Sequence, residues 1–478
     1  MSLSSALNNA ASGLSASARA VQVASSNVAN ALTEGYAARQ LELTSATLGG
    51  VGNGVRVAGV TRRVDPALLA ATRQSQAQLQ AGDTGASFWQ NIETLIGQPG
   101  QGISAALSKL DTALISASER PDLDSRLQAV TDAATSLAQT LGAVETGVQA
   151  QRAGADAAIG RDVEILNAGL TRVDDLNARI VALKAAGQST LGLEDERQAL
   201  ISNLSEIVPM QEFARPDGRV TLYSGAGRLL LDINPQEIGF APATAMDASQ
   251  SLGAGLSGLT IGGLDAETGP GGPLSGGRLA ANFAVRDTLG PDVQTRIDAL
   301  AADLISRFQD PATDSTLSGT QPGMFTDAGN ALAASPAAGL AGRVAVNPLV
   351  QPEQGGALWR LRDGLAALSQ GPVGDASGIR GLIGALDRSV SAGPGNPAQS
   401  FAQTLAEAST HLSRQRQTAE DSATQSASHF AELTQQSLAQ GVDTDAEMQR
   451  LLSIEHAYAA NARVIQTADA MLKRLLEI

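Results

Sequence analysis

The sequence predicts a mainly α-helical protein with a smaller β part, in the α+β class. Both ends of the chain are long stretches in which apolar residues recur every three or four positions, as on one face of a helix. The interior adds further helical stretches and two β-prone regions with glycine-containing turns, at 40–60 and 207–264. Aromatic residues make up only 3% of the chain against 43% hydrophobic residues, which suits close helix packing better than aromatic ligand pockets.

The N-terminal segment, residues 3–31, predicts one long amphipathic helix. It contains no proline and a single glycine, Gly13. Two lines of residues, each with a spacing of seven, alternate by three and four, which is the a/d pattern of a coiled coil. The first line is Leu7, Leu14, Val21 and Val28, and the second is Leu3, Ala10, Ser17, Ala24 and Ala31. Because the second line is mostly Ala and Ser, we expect a neighbouring helix to approach it closely.

The next part of the chain predicts an extended segment and then a helical region. The glycines within 40–60 are not arranged as a phosphate-binding loop that opens a helix, so a turn is favoured there. Residues 66–206 predict helices. The stretch 122–186 keeps a helical period but is too long for one ordinary globular helix, so it predicts long rods in a bundle.

Residues 207–390 predict mixed structure. The sequence "RPDGRVTLYSGAGRLLLDI" (215–233) places a Pro-Asp-Gly turn before β-type residues, which is typical of a hairpin. The remaining expectations are short strands through 258–264, a helix at 278–308, a loop at 311–340, one strand at 343–350 and a linker at 391–399.

The C-terminal part predicts helix from Phe401 to the last residue, interrupted at 441–447. Thr444 and Glu447 have the spacing of a capping box, so the last helix is expected to restart near Asp445. Its two lines are Leu451, Tyr458, Ile465 and Leu472, and Ile454, Asn461, Ala468 and Leu475. Asn461 either fixes the register of helix pairing, as buried asparagine does in coiled coils, or points outward in a multi-helix packing.

Charge and composition exclude several classes of function. The net charge is −15 and no basic tract stands out, which argues against nucleic-acid and anionic-membrane partners. The chain has no cysteine, so disulfides, thiolate metal sites and cysteine nucleophiles are excluded. No apolar run approaches the roughly 18 residues of a membrane span. The first residues lack the basic start and apolar core of a secretory signal peptide.

Catalytic patterns are also missing from the sequence. The histidines, His411, His429 and His456, lack metal-ligand spacing and lie on predicted polar helix surfaces. There is no nucleophile-elbow motif, and the carboxylates are scattered along helices. We therefore predict no enzyme and no catalytic, cofactor-binding or metal-binding residue. An enzyme remains the contrasting hypothesis, which a saturable pocket or any turnover would support.

Both ends carry motifs that match a known group of proteins. Residues 6–40 read "ALNNAASGLSASARAVQVASSNVANALTEGYAARQ", and residues 445–478 read "DAEMQRLLSIEHAYAANARVIQTADAMLKRLLEI". These segments resemble the bacterial flagellar axial proteins, which are the rod, hook and hook-associated subunits. Interior segments at 55–79, 193–232 and 275–304 narrow the resemblance to the hook-associated subunits, which join hook to filament.

The resemblance implies a location and a set of partners. It implies a structural subunit of the extracellular flagellum at the hook–filament junction, exported through the flagellar type III apparatus without a cleaved signal peptide. It also implies self-assembly into a ring or helix, with hook protein and hook-associated protein 3 as neighbours. A cytosolic export chaperone would hold the C-terminal helix before secretion. The alternatives are a hook or distal-rod subunit, and a cytosolic coiled-coil adaptor.

The chain departs from the family pattern in two places. Glu34 stands where the family usually places proline, so that turn is expected to be less rigid. Longer relatives insert a β-rich outer domain after the helix that ends here near Phe308, whereas this chain has only a loop-like segment before 343–350. The outer β domain is therefore expected to be reduced or absent.

These expectations give a domain layout and an assembly surface. Residues 1–40 with 441–478 form a terminal coiled-coil assembly domain, 41–206 with 391–440 a long-helix bundle with an extended segment, and 207–390 a mixed region. The terminal segments are expected to be mobile in the solitary chain and ordered by neighbouring subunits. The predicted interface, for which internal core is the alternative, is Leu3, Leu7, Leu14, Val21, Val28, Leu451, Ile454, Tyr458, Asn461, Ile465 and Leu472.

Overall fold

The computed structural model describes residues 3–33, 35–48, 51–98, 100–391 and 397–476. The structure is 61% helical and has a few small sheets of short strands, which confirms the predicted mainly α fold with a smaller β part. The predicted departure at Glu34 and most of the predicted linker lie outside the described residues. The longer helices are α1 (Leu3–Ala29), α2 (Pro66–Ile96), α3 (Gly102–Glu119), α4 (Asp124–Ala185), α5 (Leu191–Ser205), α6 (Gly277–Ala284), α7 (Gly290–Gln309), α10 (Ser377–Asp387), α11 (Phe401–Ala439) and α12 (Thr444–Leu476). The short helices are α8 (Leu340–Arg343) and α9 (Arg360–Asp363), and one π-helical turn (Val285–Leu289) joins α6 to α7.

The strands form sheets of two or three members in the described part of the chain. Strands β1 (Arg39–Leu48) and β2 (Val51–Arg62) make a long antiparallel hairpin. Strands β3 (Met210–Ala214), β4 (Val220–Ser224) and β5 (Leu229–Leu231) make an antiparallel sheet. The others are β6 (Ile238–Gly239), β7 (Ser251–Leu252), β8 (Gly255–Leu256), β9 (Leu259–Ile261), β10 (Leu264–Ala266), β11 (Phe325–Asp327), β12 (Val344–Val346), β13 (Val390–Ser391) and β14 (Ala398–Gln399).

The chain divides into two compact units. Unit 1 comprises Met1–Gln78, Ile165–Gln236 and Ser426–Ile478, and unit 2 comprises Leu79–Glu164 and Glu237–Gln425. The divisions fall within α2, α4 and α11 and just before β6. The layout of three domains stays a prediction.

Unit 1 contains the terminal helices, the β1–β2 hairpin, α5 and the β3–β5 sheet. Buried polar side chains join its elements. Arg73 on α2 donates to Glu212 on β3 at 3.0 Å and to Ser202 on α5 at 3.1 Å. Burial lowers the pKa of Arg73, and the charge of Glu212 acts in the opposite direction. Asn177 on α4 binds both backbone groups of Val220, at 3.0 and 3.1 Å.

Unit 2 has a large core of aliphatic side chains. On α4 the buried residues keep a spacing of three and four, which places them on one face of the helix. They are Leu127, Val130, Ala134, Leu137, Leu141, Val144 and Val148. Two buried arginines bind backbone oxygens of the segment after β5. Arg286, which pairs with Asp156 on α4 at 2.7 Å, donates to Ser257 at 2.9 Å. Arg152 donates to Asp247 and Gln250 at 3.0 and 2.7 Å.

Three local predictions were wrong in part. Most of the stretch 122–186 is one continuous helix of 62 residues, α4, and not several rods. The predicted loop at 311–340 contains β11, which pairs with β12. In α12 the cap is Asp443, because its carboxylate accepts from the backbone N–H groups of Asp445 and Ala446, both at 3.0 Å.

Candidate assembly surface

The two terminal helices, α1 and α12, lie antiparallel in unit 1. Two contacts far apart on α1 define their alignment. The Asn461 side chain lies over Gly13, so that a Cβ on Gly13 would sit 2.7 Å from its Nδ2 atom. Four turns later, Asn27 Nδ2 donates to Glu447 Oε1 at 2.9 Å. In both contacts the residue numbers add up to 474, so one register holds along the pair.

Burial on α1 follows the small residues more than the large ones. Ala10, Ser17 and Ala24 of the second predicted line are buried. Of the predicted interface residues, Leu3, Leu7, Leu14 and Val28 are half-buried, and Val21 is exposed. Small residues allow close backbone approach, so they fill the closest part of the helix contact.

Burial on α12 is slight. Leu451, Ile454, Asn461 and Ile465 are half-buried on the side that faces α1, whereas Tyr458 and Leu472 are exposed. Among the described side chains of α12, Ala468 alone falls below a tenth exposed. The side chain of Leu475 lies outside the described part. Large apolar residues remain in solvent on this helix, and we call them the exposed α12 set: Met448, Leu452, Tyr458, Val464, Met471 and Leu472.

Asn27, which is not among the predicted interface residues, makes more hydrogen bonds than any other side chain described in this subsection. Its side chain is fully buried and makes four hydrogen bonds, which is the full capacity of an amide. Oδ1 accepts from the Arg39 N–H and the Tyr36 hydroxyl, both at 2.9 Å. Nδ2 donates to the Arg39 carbonyl and to Glu447, also at 2.9 Å. In the sequence, the only indication of this role is that Asn27 is a polar residue next to the apolar lines of 3–31.

The hairpin is fixed at both of its ends in unit 1. At its base Arg39 and Arg62 lie directly opposite each other, and Asp195 on α5 pairs with them at 3.5 and 2.8 Å. Near its turn the Ser12 hydroxyl on α1 accepts from the Val55 N–H at 3.1 Å. A two-stranded ribbon is only marginally stable alone, so these contacts hold the hairpin in place, to α5 at its base and to α1 near its turn.

Three features that would indicate a metal site, a histidine-centred site or a membrane span can be compared with the described residues. They contain no group of three or more His, Cys, Asp or Glu side chains placed to hold a metal ion. The Nδ1 atom of His429 lies 3.3 Å from the Ser75 hydroxyl, and His456 is exposed. No helix in the described ranges has the length and apolar character needed to cross a membrane.

Comparisons with known proteins match both ends and the interior of the chain to flagellar proteins. The family model described as flagellar hook-associated protein FlgK helical domain matches residues 89–325. Models described as flagella basal body rod protein and flagellar basal body rod FlgEFG protein C-terminal match 7–36 and 435–478. Flagellar hook-associated protein 1 of Bacillus subtilis is 24% identical over 98% of this chain and 97% of its own length. The chain resembles flagellar hook-associated protein 1 along nearly its whole length.

Other relatives of the family align over less of their length. Flagellar hook-associated protein 1 of Salmonella typhimurium is 28% identical over 48% of this chain, and the alignment covers 43% of that protein. A solved structure of the flagellar hook junction protein FlgK from Burkholderia pseudomallei is 21% identical, with a TM-score of 0.44 over 54% of this chain and 46% of that one.

The relatives and the family models indicate a structural, hook-associated protein of the bacterial flagellum, at the hook–filament junction. The match to the hook-associated helical domain favours this prediction over the hook, distal-rod and adaptor alternatives.

Proposed function

We propose that the chain assembles into the flagellar axis through its terminal helix pair, with neighbouring subunits covering the exposed α12 set. One observation carries the proposal. The α12 helix has six large exposed apolar side chains but one buried side chain among those described. A helix normally gains most of its stability in a protein from packing an apolar face, so α12 needs a further partner.

The energetic scale supports assembly through this surface. Fully burying one large apolar side chain contributes about 1.5–3 kcal/mol. The members of the exposed α12 set are already partly covered, so each contributes a fraction of that value when a neighbouring subunit covers the rest. Identical contacts repeated head to tail generate a ring or a helical array. The function on this proposal is mechanical, because the subunit joins two different parts of the flagellum and performs no chemical step.

The proposed partners follow from that role. Copies of the same chain are the first, with hook protein on one side and hook-associated protein 3 on the other. Before export, a cytosolic chaperone covers the C-terminal helix, since its apolar side chains would otherwise remain in solvent. Export proceeds through the flagellar type III apparatus without a cleaved signal peptide, and the final location is extracellular.

The test replaces two members of the exposed α12 set by charge. In a motile strain lacking its own copy of this protein, Leu452→Asp with Val464→Asp is expected to abolish incorporation into flagella. Both residues are exposed in the solitary chain, at 56% and 44%, so unit 1 should still fold. The measurement is the amount of the protein in sheared flagella, with electron microscopy of the cells.

A matched control keeps the same positions apolar. Leu452→Met with Val464→Ile should incorporate normally, because volume and polarity change little. The double aspartate variant must also appear in the culture medium, which shows that export has occurred. Normal filaments from a secreted aspartate variant would overturn the proposed surface.

A further inference from the structure

We infer that Asn461 and Glu447 set the register of α12 against α1, by acting on Gly13 and Asn27. The apolar residues alone do not specify one alignment. The buried line Ala10, Ser17 and Ala24 repeats every seven residues, so a slip of seven residues places small side chains against the same surface again. Such a slip moves one helix by roughly 10 Å along the other.

The contact at Gly13 discriminates between registers by shape. Gly13 is the only glycine in α1, and its missing Cβ leaves the space in which the Asn461 amide lies. After a slip of seven residues in either direction, Asn461 would face Ala6 or Ala20, because opposed residue numbers add up to 474 in the observed register. Both alanines carry the Cβ that this space excludes.

The contact at Asn27 discriminates by hydrogen bonding. The Glu447 side chain is only 13% exposed, and its Oε1 atom accepts from Asn27. Its Oε2 atom is already buried without a hydrogen-bond partner, and the nearest Arg450 nitrogen is 3.9 Å from Oε1. A slip would remove the Asn27 donor from this carboxylate and place Ile454 opposite the Asn27 amide. Buried polar groups left without partners are costly, so the slipped pair is disfavoured.

The two contacts are independent and select the same alignment. One is steric and the other is a charged hydrogen bond, and they lie fourteen residues apart on α1. Asn27 also holds the backbone of Arg39, so the register that it sets includes the base of the hairpin. The biological consequence of a fixed register depends on the proposed assembly function, whereas the register itself is measurable in the solitary chain.

The register can be measured by cross-linking between introduced cysteines. Because the chain has no native cysteine, only the introduced thiols react. Ser17→Cys with Ala457→Cys places thiols on opposed positions of the observed register, and Ser17→Cys with Val464→Cys reports a slip of seven residues. With a short bifunctional maleimide and otherwise native protein, the first pair should cross-link at least about tenfold more than the second. Tenfold corresponds to about 1.4 kcal/mol.

Variants on α12 then remove the two contacts without disturbing the bonds between Asn27 and the hairpin. Glu447→Leu with Asn461→Leu should bring the two cross-linking yields to within about twofold of each other. The control Glu455→Leu with Gln466→Leu adds the same apolar groups at exposed positions and should keep the tenfold preference. Glu447→Gln, which retains an acceptor oxygen for Asn27, should also keep it.

Three cross-linking results would contradict the inferred register. Equal cross-linking of both pairs in the otherwise native protein, weak cross-linking of both, or an unchanged preference in the double leucine variant would overturn the inference. Failure of the proposed assembly function is a separate result. It would appear as normal incorporation of the Leu452→Asp, Val464→Asp protein while the cross-linking preference remained intact.

Discussion

At the scale of single residues, two buried asparagines make hydrogen bonds to the backbone that a neighbouring strand would otherwise make. Asn27 binds the N–H and the carbonyl of Arg39, and Asn177 binds the same two groups of Val220. A side-chain amide carries an acceptor oxygen and a donor nitrogen side by side, so it can bind the N–H and the carbonyl of one extended residue. Each asparagine therefore satisfies a backbone segment that begins a strand and joins it to a helix.

Removing the amide of Asn27 should loosen the base of the hairpin. Asn27→Ala leaves the Arg39 backbone groups and Glu447 without their partner in a buried place, at a cost on the order of 1–3 kcal/mol. We expect amide hydrogens in 39–62 to exchange about tenfold to a hundredfold faster, measured by mass spectrometry. Asn8→Ala, at an exposed position of α1, is the control and should change nothing. Equal protection in both variants would contradict the assigned role of Asn27.

At the scale of elements, periodicity predicted where helices lie but not how long each runs. The stretch that became α4 contains Gly142, Gly147, Gly154, Gly160 and Gly169, and glycine inside a helix costs about 1 kcal/mol relative to alanine. Two of these glycines lie against leucine side chains of other helices, Gly147 against Leu95 and Gly169 against Leu204. The compensation comes from tertiary packing, which a local pattern does not contain.

Two glycines of α4 in unit 2, Gly147 and Gly154, should respond in opposite directions to substitution by alanine, because only Gly147 lies against another side chain. At Gly154 nothing lies within 4 Å of an added Cβ, so Gly154→Ala should stabilise unit 2 by about 0.5–1 kcal/mol. At Gly147 the added atom would sit 2.5 Å from a methyl group of Leu95, so Gly147→Ala should destabilise it by about 1 kcal/mol. Urea unfolding followed by circular dichroism measures both. Stabilisation by both substitutions would show that Leu95 moves aside without cost.

At the scale of the whole molecule, the sequence predicted that the two ends form one helix pair but not which residues lie deepest. The leucine-rich line was an obvious choice, yet Leu7 and Leu14 are only half-buried while Ala10 and Ala24 are buried. The closeness of helix packing, which depends on both partners, decides this order. Asn461 illustrates the same limit, since its place over Gly13 follows from the register of two segments more than four hundred residues apart.

The uneven burial along the chain predicts an uneven resistance to opening. Leu127, Leu137, Leu166 and Leu176 of α4 are at most 1% exposed, whereas α12 has only Ala468 buried among its described side chains. Amide protection follows the free energy of local opening, which is small where few apolar contacts break. In the solitary protein we expect amides of 3–29 and 444–476 to exchange at least about a hundredfold faster than those of 124–185.

The same measurement on assembled flagella supplies the comparison, because α4 serves as an internal reference in both samples. On assembly the terminal helices should gain protection as neighbouring subunits cover Met448, Leu452, Val464 and Met471, while α4 changes little. Terminal helices already as protected as α4 in the solitary chain would contradict ordering by neighbours. Helices that remain unprotected after incorporation would contradict the assembly surface itself, since side chains left in solvent contribute no stabilisation.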